Sequence, residues 1–185
     1  MLTALLDMRA GSVAPRRGPI PSDHASLERT TSVGSAMFAI TEAVTINRSP
    51  EDVFAYFSDG RHRPEWDTTV VSEELTSPPP VGVGSTIRTR MSVLSRRMDF
   101  EWRVSRFDPP LRMATVSIEG PMPTSVEFAF TAVEGGCRVR AAIEGHPAGM
   151  MRLAEPLIAE SVRSTLAAAL ERARLLLEAT HPSRQ

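Results

Sequence analysis

The C-terminal run 147–180 constrains the fold most, because it is the only long stretch of the sequence with sustained helical periodicity. Its charged residues fall on one face of a helix with 3.6 residues per turn, and its aliphatic residues fall opposite. About 24 residues from Pro156 onward would form a rod of roughly 36 Å. A helix of this length needs a large apolar partner, and most of the preceding chain reads as β-strand. We therefore expect a sheet wrapped around one long helix.

The helix face expected to contact the sheet carries polar groups among its aliphatic residues. The helical wheel places these residues on that face or at its margins: Leu157, Ile158, Ser161, Val162, Thr165, Ala168, Ala169, Arg172 and Leu176. The wall of a ligand cavity can use such hydroxyl and guanidinium groups, whereas a solid core does not need them. Alternatively, the hydroxyls bond the preceding helical turn and Arg172 extends to water. The residue types leave both interpretations open.

Pro156 leaves two alternatives for the start of this helix. A proline inside a helix loses one backbone hydrogen bond and clashes with the preceding turn. Either the helix kinks near Arg152, or a short turn at 148–154 precedes a helix that has Pro156 in its first turn. The pair His181-Pro182 is expected to end the element.

Composition excludes several classes of function. The net charge of −1 gives no electrostatic basis for binding nucleic acid or an anionic membrane. All 21 basic residues are arginine, so mechanisms that need a lysine Schiff base or a lysine general base are excluded. No stretch approaches the roughly 20 apolar residues of a membrane span. The single cysteine, Cys137, permits no internal disulfide and suits a reducing compartment, so we expect a cytoplasmic protein.

The chain reads as one folded domain with an N-terminal extension. Residues 1–36 mix prolines, arginines, serines and threonines without a sustained period, which is typical of a disordered tail. The opening MLTALLDM is too short, and too soon charged, for a secretory signal. We therefore expect a disordered extension at 1–36 and a ligand-binding domain at 37–185.

From Phe38 the chain becomes regular. The segment 38–47 is strand-like, and a helix follows with Ser49 as its N-cap and Pro50 at its first position. A loop or second short helix is expected at 61–67. Six further strand-like runs lie at 68–77, 84–94, 97–107, 111–119, 124–134 and 137–145. The short connections between them favour antiparallel neighbours.

Two predicted hairpins indicate a sheet with one solvent-exposed face. With Ser95-Arg96 and Gly135-Gly136 as two-residue turns, the registers pair Met91 with Phe100, Thr89 with Trp102, Phe130 with Ala141 and Phe128 with Ile143. These registers place apolar pairs on one face, as a half-buried sheet requires. The pair Pro109-Pro110 cannot donate to a strand ladder, so we expect a strand break there.

The element order is one strand, two short helices, six antiparallel strands and one long helix, which is the helix-grip arrangement. This predicts an α+β fold in which a curved antiparallel sheet of about seven strands surrounds the C-terminal helix. Within residues 38–179, the sequence segments that carry a family resemblance are INRSPEDVFAYFSD, PEWD, VGVGSTIR, EWRVSRFDPPLRM, GPMPTSVEFAFTAVEGGCRVR and the C-terminal helix. They resemble the SRPBCC superfamily, also called START-like or birch-pollen-allergen-like. Within it, the segment looks most like the polyketide cyclase/dehydrase and lipid-transport group.

The resemblance implies a hydrophobic cavity between the sheet and the long helix. Members of the superfamily bind lipids, polyketides, hormones or quinones, and a minority catalyse cyclisation. The resemblance also places the segment around Trp66 near the cavity entrance.

The residues themselves carry little sign of catalysis. The four histidines are scattered without metal-ligand spacing, and Cys137 follows a glycine turn as a small core residue would. His62 and Asp67 flank Trp66 and could form an acid–base pair, although such residues more often cap short helices. We therefore predict no catalytic residue, no metal site and no cofactor.

Large apolar side chains are expected to converge on the concave side of the sheet, opposite the small residues of the helix. Small residues leave space that large ones would fill, which indicates a lined pocket. Met91 and Met98 would let the wall of this pocket adapt to more than one ligand. The predicted ligand-binding residues are Trp66, Thr89, Met91, Phe100, Trp102, Phe128, Ser161, Thr165, Ala168, Ala169 and Arg172.

Three classes of function stay open, and binding of a small, mostly hydrophobic molecule such as a lipid or polyketide ranks first. The second is a polyketide cyclase or dehydratase, which would need polar side chains converging inside the cavity. The third is a protein-interaction module with a vestigial cavity. Cavity volume and polarity separate the first class from the third. The ligand and the oligomeric state cannot be named from the sequence.

Overall fold

The computed structural model describes residues 38–93 and 96–179, so the predicted tail at 1–36 lies outside the described residues. The strands and α-helices in chain order are β1 (Phe38–Ile46), α1 (Pro50–Ser58), α2 (Arg63–Trp66), β2 (Val70–Leu75), β3 (Thr86–Val93), β4 (Arg96–Asp108), β5 (Arg112–Glu119), β6 (Thr124–Val133), β7 (Gly136–Gly145) and α3 (Glu155–Ala179). Two 3-10 helices, Gly60–His62 and Gly149–Ala154, directly precede α2 and α3.

The seven strands form one antiparallel sheet in the order β1-β7-β6-β5-β4-β3-β2. The sheet curls into a half-barrel, and α3 packs against β1 and α2. This is the helix-grip arrangement that the sequence predicts, so the predicted fold class is confirmed. Among residues 38–93 and 96–179, no helix combines the length and the apolar character that crossing a bilayer requires.

The first helix begins as its sequence predicts. The Oγ of Ser49 accepts a hydrogen bond from the backbone amide of Asp52 at 3.2 Å, which caps the helix N-terminus. Pro50 occupies the first turn, where its missing N–H removes no helical hydrogen bond. Phe54 and Phe57 are buried on the sheet side of α1. The helix therefore places aromatic rings over the concave face of the sheet.

The two predicted hairpin registers are wrong by two residues. The observed pairs are Met91 with Met98, Thr89 with Phe100, Phe130 with Val139 and Phe128 with Ala141. Both hairpins differ from the prediction by the same shift of two residues. A register shift of two residues leaves every side chain on its predicted face, so the buried and solvent-exposed faces were assigned correctly.

Close packing explains why Gly136 belongs to β7 and not to the turn. A Cβ on Gly136 would lie 2.1 Å from the carbonyl oxygen of Ile46, so only glycine fits where β7 passes the end of β1. Gly135 has a φ of 80° and supplies the positive angle of the turn. The expected strand break at Pro109-Pro110 is confirmed, because β4 ends at Asp108 and β5 begins at Arg112.

The start of α3 matches the second of the two alternatives. The 3-10 helix Gly149–Ala154 comes first, and α3 then begins at Glu155 with Pro156 in its first turn. The proline therefore interrupts no helical hydrogen bond.

The orientation of α3 differs from the helical wheel. Its buried residues are Leu166, Ala169, Leu170 and Ala173. Their spacing forms the stripe expected for a helix packed on a core. Leu157 is 77% exposed, and Ala168 and Arg172 are exposed as well, so their predicted inward placement is wrong. Two leucines bury more apolar area than the alanines and hydroxyls of the predicted face, which turns the helix toward them.

The buried core occupies the half of the molecule that contains α3. Its members from this half are Phe38, Ile40, Ile46, Val53, Phe54, Phe130, Cys137, Val139, Ala141, Leu166, Ala169, Leu170 and Ala173. They come from β1, β6, β7, α1 and α3. The opposite half, built on β2 to β5, remains available for a cavity.

A pair of substitutions on α3 tests this orientation. Ala169 is 5% exposed, so Ala169→Trp should overpack the core and lower the free energy of unfolding by roughly 1–3 kcal/mol or more. Ala168→Trp is the matched control, because Ala168 is exposed and its change should stay within about 0.5 kcal/mol. Chemical denaturation measures both. Equal losses of stability would contradict the observed orientation.

Candidate ligand-binding cavity

A cavity of ≈ 80 Å³ lies between the sheet and the two short helices. Its apolar lining consists of Phe57, Val81, Ile87, Met91, Trp102, Val104, Phe107, Met113, Ala114, Val126 and Phe128. Its polar lining consists of Ser58, Arg63, Glu73, Thr89 and Thr115. The lining residues come from α1, α2, strands β2 to β6 and the β2–β3 loop, and none comes from the described part of α3. The cavity thus lies beside the core packed by α3 and not under that helix.

Strand alternation sets the two faces of β3 and β4. Thr89 and Met91 point into the cavity, whereas Arg90 points outward and its Nε donates to Oδ1 of Asp99 at 3.0 Å. Arg88 pairs with Glu101 on the same outer face. Alternating residues of a half-buried sheet follow this pattern. The β3 wall of the cavity is therefore free of arginine, because both arginines of that strand lie on the other side.

A chain of hydrogen bonds forms the polar end of the cavity. The Nε1 of Trp102 donates to Oγ1 of Thr89 at 3.1 Å, and Oγ1 of Thr89 donates to Oε2 of Glu73 at 2.8 Å. An indole N–H can only donate, so Oγ1 of Thr89 accepts from Trp102 and its own hydroxyl hydrogen stays available for Glu73. Oε2 of Glu73 is consequently an acceptor. In this arrangement a proton on the carboxyl group resides on Oε1.

The surroundings of Glu73 favour the protonated form. Burial raises the pKa of its carboxyl group above the ordinary value of 4.5, although the charge of Arg63 and the hydrogen bond from Thr89 oppose that rise. The negative charge of Asp67 adds to it. Oε1 lies against Gly60, where a Cβ would approach it to 3.1 Å. The absence of a side chain at Gly60 thus makes room for the carboxyl group.

Arg63 lies next to this acid and is largely buried. Its guanidinium carbon lies 4.3 Å from the ring centroid of Trp66, and its Nη2 donates to Oδ2 of Asp67 at 3.0 Å. Asp67 is 5% exposed and also accepts hydrogen bonds from the amide and hydroxyl of Thr69. Within the described part of the chain, two buried side-chain nitrogens have no hydrogen-bond partner, Nε of Arg63 and Nε1 of Trp66.

A second polar cluster joins α1, α2 and α3 at the surface. Oε2 of Glu65 accepts from the hydroxyl of Tyr56 at 3.0 Å, and Oε1 of Glu65 lies 3.1 Å from Nδ1 of His62. Burial, followed by the hydrogen bond to Glu65, raises the pKa of Tyr56. The Nε of Arg172 donates to the backbone carbonyl of Glu65 at 2.6 Å. The cluster fastens α2 in place, and His62 contacts Glu65 here instead of forming the acid–base pair with Asp67 considered from sequence.

The raised pKa of Glu73 predicts that the stability of the protein depends on pH. A carboxyl group whose pKa is raised by folding binds more protons in the native state than in the unfolded state. The free energy of unfolding therefore falls as pH rises above 4.5 toward the pKa of the folded state. Wild type should therefore lose stability relative to Glu73→Gln across that interval, since glutamine stays neutral. Urea unfolding of both proteins at several pH values measures the difference. A difference independent of pH would mean that Glu73 is not desolvated.

The eleven predicted site residues fall into three groups. Four of them line the cavity, namely Thr89, Met91, Trp102 and Phe128. Two are buried beside it: Trp66 packs on Phe57 at 4.8 Å between ring centroids, and Phe100 stacks on Trp102 at 4.9 Å. Five lie on α3 away from the lining, with Ala169 in the core, Ser161 and Thr165 half-buried, and Ala168 and Arg172 exposed. Their roles in ligand binding stay predictions.

Sequence reasoning missed the two ionisable groups of the cavity, Arg63 and Glu73. A β-bulge between Val70 and Ser72 shifts the alternation of β2. Counting alternate residues from the buried Val70 would place Glu73 on the outer face, whereas the bulge turns it inward. Arg63 was not predicted as a cavity residue because it lies in a short polar segment that resembles a surface loop. The remaining signal was the proximity of both residues to Trp66 in sequence.

The fold matches many solved structures at low sequence identity. TTHA0849 from Thermus thermophilus is 16% identical with a TM-score of 0.68, and the match covers 77% of this chain and 98% of that one. A START superfamily protein from Mycobacterium smegmatis is 13% identical with a TM-score of 0.66, covering 77% and 99% of the two chains. The ZhuI aromatase/cyclase from Streptomyces sp. R1128 is 14% identical with a TM-score of 0.66, covering 78% and 96%. Likeness at this level shows the fold alone.

Sequence comparison supplies the family. No curated protein matches the chain significantly. The family described as polyketide cyclase/dehydrase and lipid transport matches residues 37–178, which is most of the chain and includes every residue that lines the cavity. The chain therefore belongs to the polyketide cyclase/dehydrase and lipid transport family.

Proposed function

We propose that the protein binds a small, mostly apolar molecule in the cavity between the sheet and the two short helices. The observation that carries this proposal is the composition of the lining, an apolar wall with one polar end at Arg63, Glu73 and Thr89. Ligand sites in proteins typically combine an apolar wall with a few polar groups that fix orientation. The buried Nε of Arg63 adds a donor that a ligand can satisfy.

The cavity volume limits what enters without rearrangement. An apolar cavity of about 150 Å³ accommodates benzene, and this cavity measures ≈ 80 Å³. A ligand with one aromatic ring must therefore displace part of the wall. Met91 and Met113 are both half-buried and have flexible unbranched side chains, so they are the wall residues that give way most easily.

Titration with the neutral one-ring fluorophore 4-(dimethylamino)benzonitrile tests the proposal. Its fluorescence should rise and saturate at about one molecule per chain, with an emission shifted to shorter wavelength by the apolar wall. An unlabelled apolar competitor should reverse the signal. A linear increase without saturation, or a signal that no competitor displaces, would argue against a defined site.

A second candidate function is the dehydration of a β-hydroxy ketone, favoured by the hydrogen-bonded acid Glu73. In this reaction Oε1 of Glu73 would give its proton to the leaving hydroxyl as the carbon–oxygen bond breaks and water departs. The resulting carboxylate would take the proton from the α-carbon as the double bond forms, which restores the acid. An acid whose pKa is raised by burial suits the first of these transfers.

The probe 4-hydroxy-4-phenyl-2-butanone separates the two candidates, because its dehydration yields a conjugated ketone that absorbs in the ultraviolet. A dehydratase should accelerate this reaction, and Glu73→Gln should remove the acceleration. Binding of the probe without any acceleration would leave ligand binding as the function.

A further inference from the structure

The carboxyl group of Glu73 has one oxygen committed to the protein and one oxygen that is not. Oε2 accepts the hydrogen bond of Thr89 at 2.8 Å, and Oγ1 of Thr89 accepts in turn from the indole of Trp102. Oε1 lies against the Cα of Gly60, and among the described residues no side chain donates a hydrogen bond to it. Because Glu73 lines the cavity, its remaining hydrogen-bonding capacity is available to a ligand.

The charges around Glu73 come close to cancelling. Arg63 of α2 faces it, Asp67 at the end of α2 neutralises Arg63 through a contact of 3.0 Å, and Thr89 of β3 contributes a dipole. The polar end therefore has no net positive charge to offer an anion. An anionic ligand would have to be desolvated without a counter-ion, which is costly in an apolar cavity.

We propose that Glu73 binds the ligand as a hydrogen-bond donor through Oε1, so that the cavity selects uncharged molecules with an apolar body and one acceptor oxygen, as in an aryl ketone. This inference rests on the proposed function of the cavity and specifies the chemistry of its ligand. A hydrocarbon would leave the acid unpaired, and a buried unpaired polar group lowers affinity. A carboxylate ligand would face the carboxyl group of Glu73 and an Arg63 whose charge Asp67 already neutralises.

Protonation of Glu73 also makes ligand binding depend on pH in a defined direction. Deprotonation of Glu73 removes the donor and places a negative charge opposite the ligand oxygen. Affinity for a ketone should thus be constant at low pH and fall by about tenfold per pH unit once pH exceeds the pKa of Glu73. The glutamine of Glu73→Gln keeps an N–H donor at every pH, so its affinity should not change.

Three one-ring probes test this chemistry: acetophenone, ethylbenzene and benzoate. Ethylbenzene has the skeleton of acetophenone without the oxygen, and benzoate carries the negative charge. Calorimetric or ligand-observed NMR titrations of the full chain, on the acidic side of the pKa of Glu73, should give acetophenone an affinity at least about tenfold above both others, since one buried hydrogen bond is worth roughly that factor. The advantage over ethylbenzene should shrink as pH rises in wild type and persist in Glu73→Gln.

Glycine substitutions supply a test that leaves Glu73 in place. Gly60→Ala would bring a methyl group to 3.1 Å from Oε1 and press on the carboxyl group. It should reduce the preference for acetophenone while ethylbenzene still binds. Gly82→Ala is the matched control, because nothing lies within 4 Å of a Cβ there, and it should bind as wild type does.

The outcomes distinguish this inference from the function on which it rests. If none of the three probes binds saturably, both fail. If ethylbenzene and acetophenone bind equally well, or if acetophenone binding does not respond to pH in wild type, the cavity function stands and the role of Glu73 is refuted. A higher affinity for benzoate would likewise refute it, because the cavity would then select anions.

Discussion

Trp66→Ala should lower the free energy of unfolding by roughly 3–5 kcal/mol, the range for deleting a large buried aromatic side chain. Trp66 is 1% exposed and contacts the rings of Phe57 and Phe128, with centroids 4.8 Å and 6.2 Å away. It also supports the guanidinium of Arg63 at 4.3 Å. Its loss would therefore open a void beside the cavity and release the arginine that faces Glu73.

Trp66→Phe is the matched control for that substitution. The indole N–H of Trp66 has no partner within the described part of the chain, so phenylalanine removes an unpaired buried donor while keeping an aromatic ring. Its cost should be much smaller than that of alanine. For a chain of this size, 1 kcal/mol corresponds to roughly 2–4 °C in melting temperature, so calorimetry separates the variants. Similar losses for both would contradict this account, because the ring of phenylalanine would then recover none of the packing.

The architecture was predictable because strong local signals agreed with one another. The cap at Ser49, the break at Pro109-Pro110 and the long C-terminal period each specify one element without reference to distant residues. The faces of the strands were also predictable, since alternation survives a register error of two residues. The exact register was not, because it depended on the contact between Gly136 and Ile46, which are far apart in sequence.

The site was less predictable than the fold for two physical reasons. The orientation of α3 depends on which apolar stripe buries more area against β1 and α2, and the leucines at 166 and 170 outweighed the small residues that suggested a pocket. The position of Glu73 depends on the bulge at Val70, which reverses strand alternation without an unmistakable sequence signal. Thr89, Met91, Trp102 and Phe128 were found because they lie on strands with regular alternation.

The central claim is that the space between the sheet and the short helices binds an apolar ligand, and filling that space tests it directly. Thr115 pairs with Val104 on β4 and with Val126 on β6, and all three residues line the cavity. In Thr115→Phe the added ring should occupy the volume that a ligand would use. Its cost in stability should be smaller than that of Ala169→Trp, because part of the ring enters existing space, whereas Ala169→Trp overpacks a filled core.

The matched control is Val116→Phe, which places the same ring one residue along β5 on the opposite face, where Val116 is 37% exposed. The deciding measurement is the affinity of 4-(dimethylamino)benzonitrile for the two variants and wild type, with a thermal melt of each. We expect Thr115→Phe to lose at least about tenfold in affinity, equivalent to roughly 1.4 kcal/mol, while Val116→Phe binds as wild type does and both remain folded. Unchanged binding by a folded Thr115→Phe would contradict the assignment of this cavity as the ligand site.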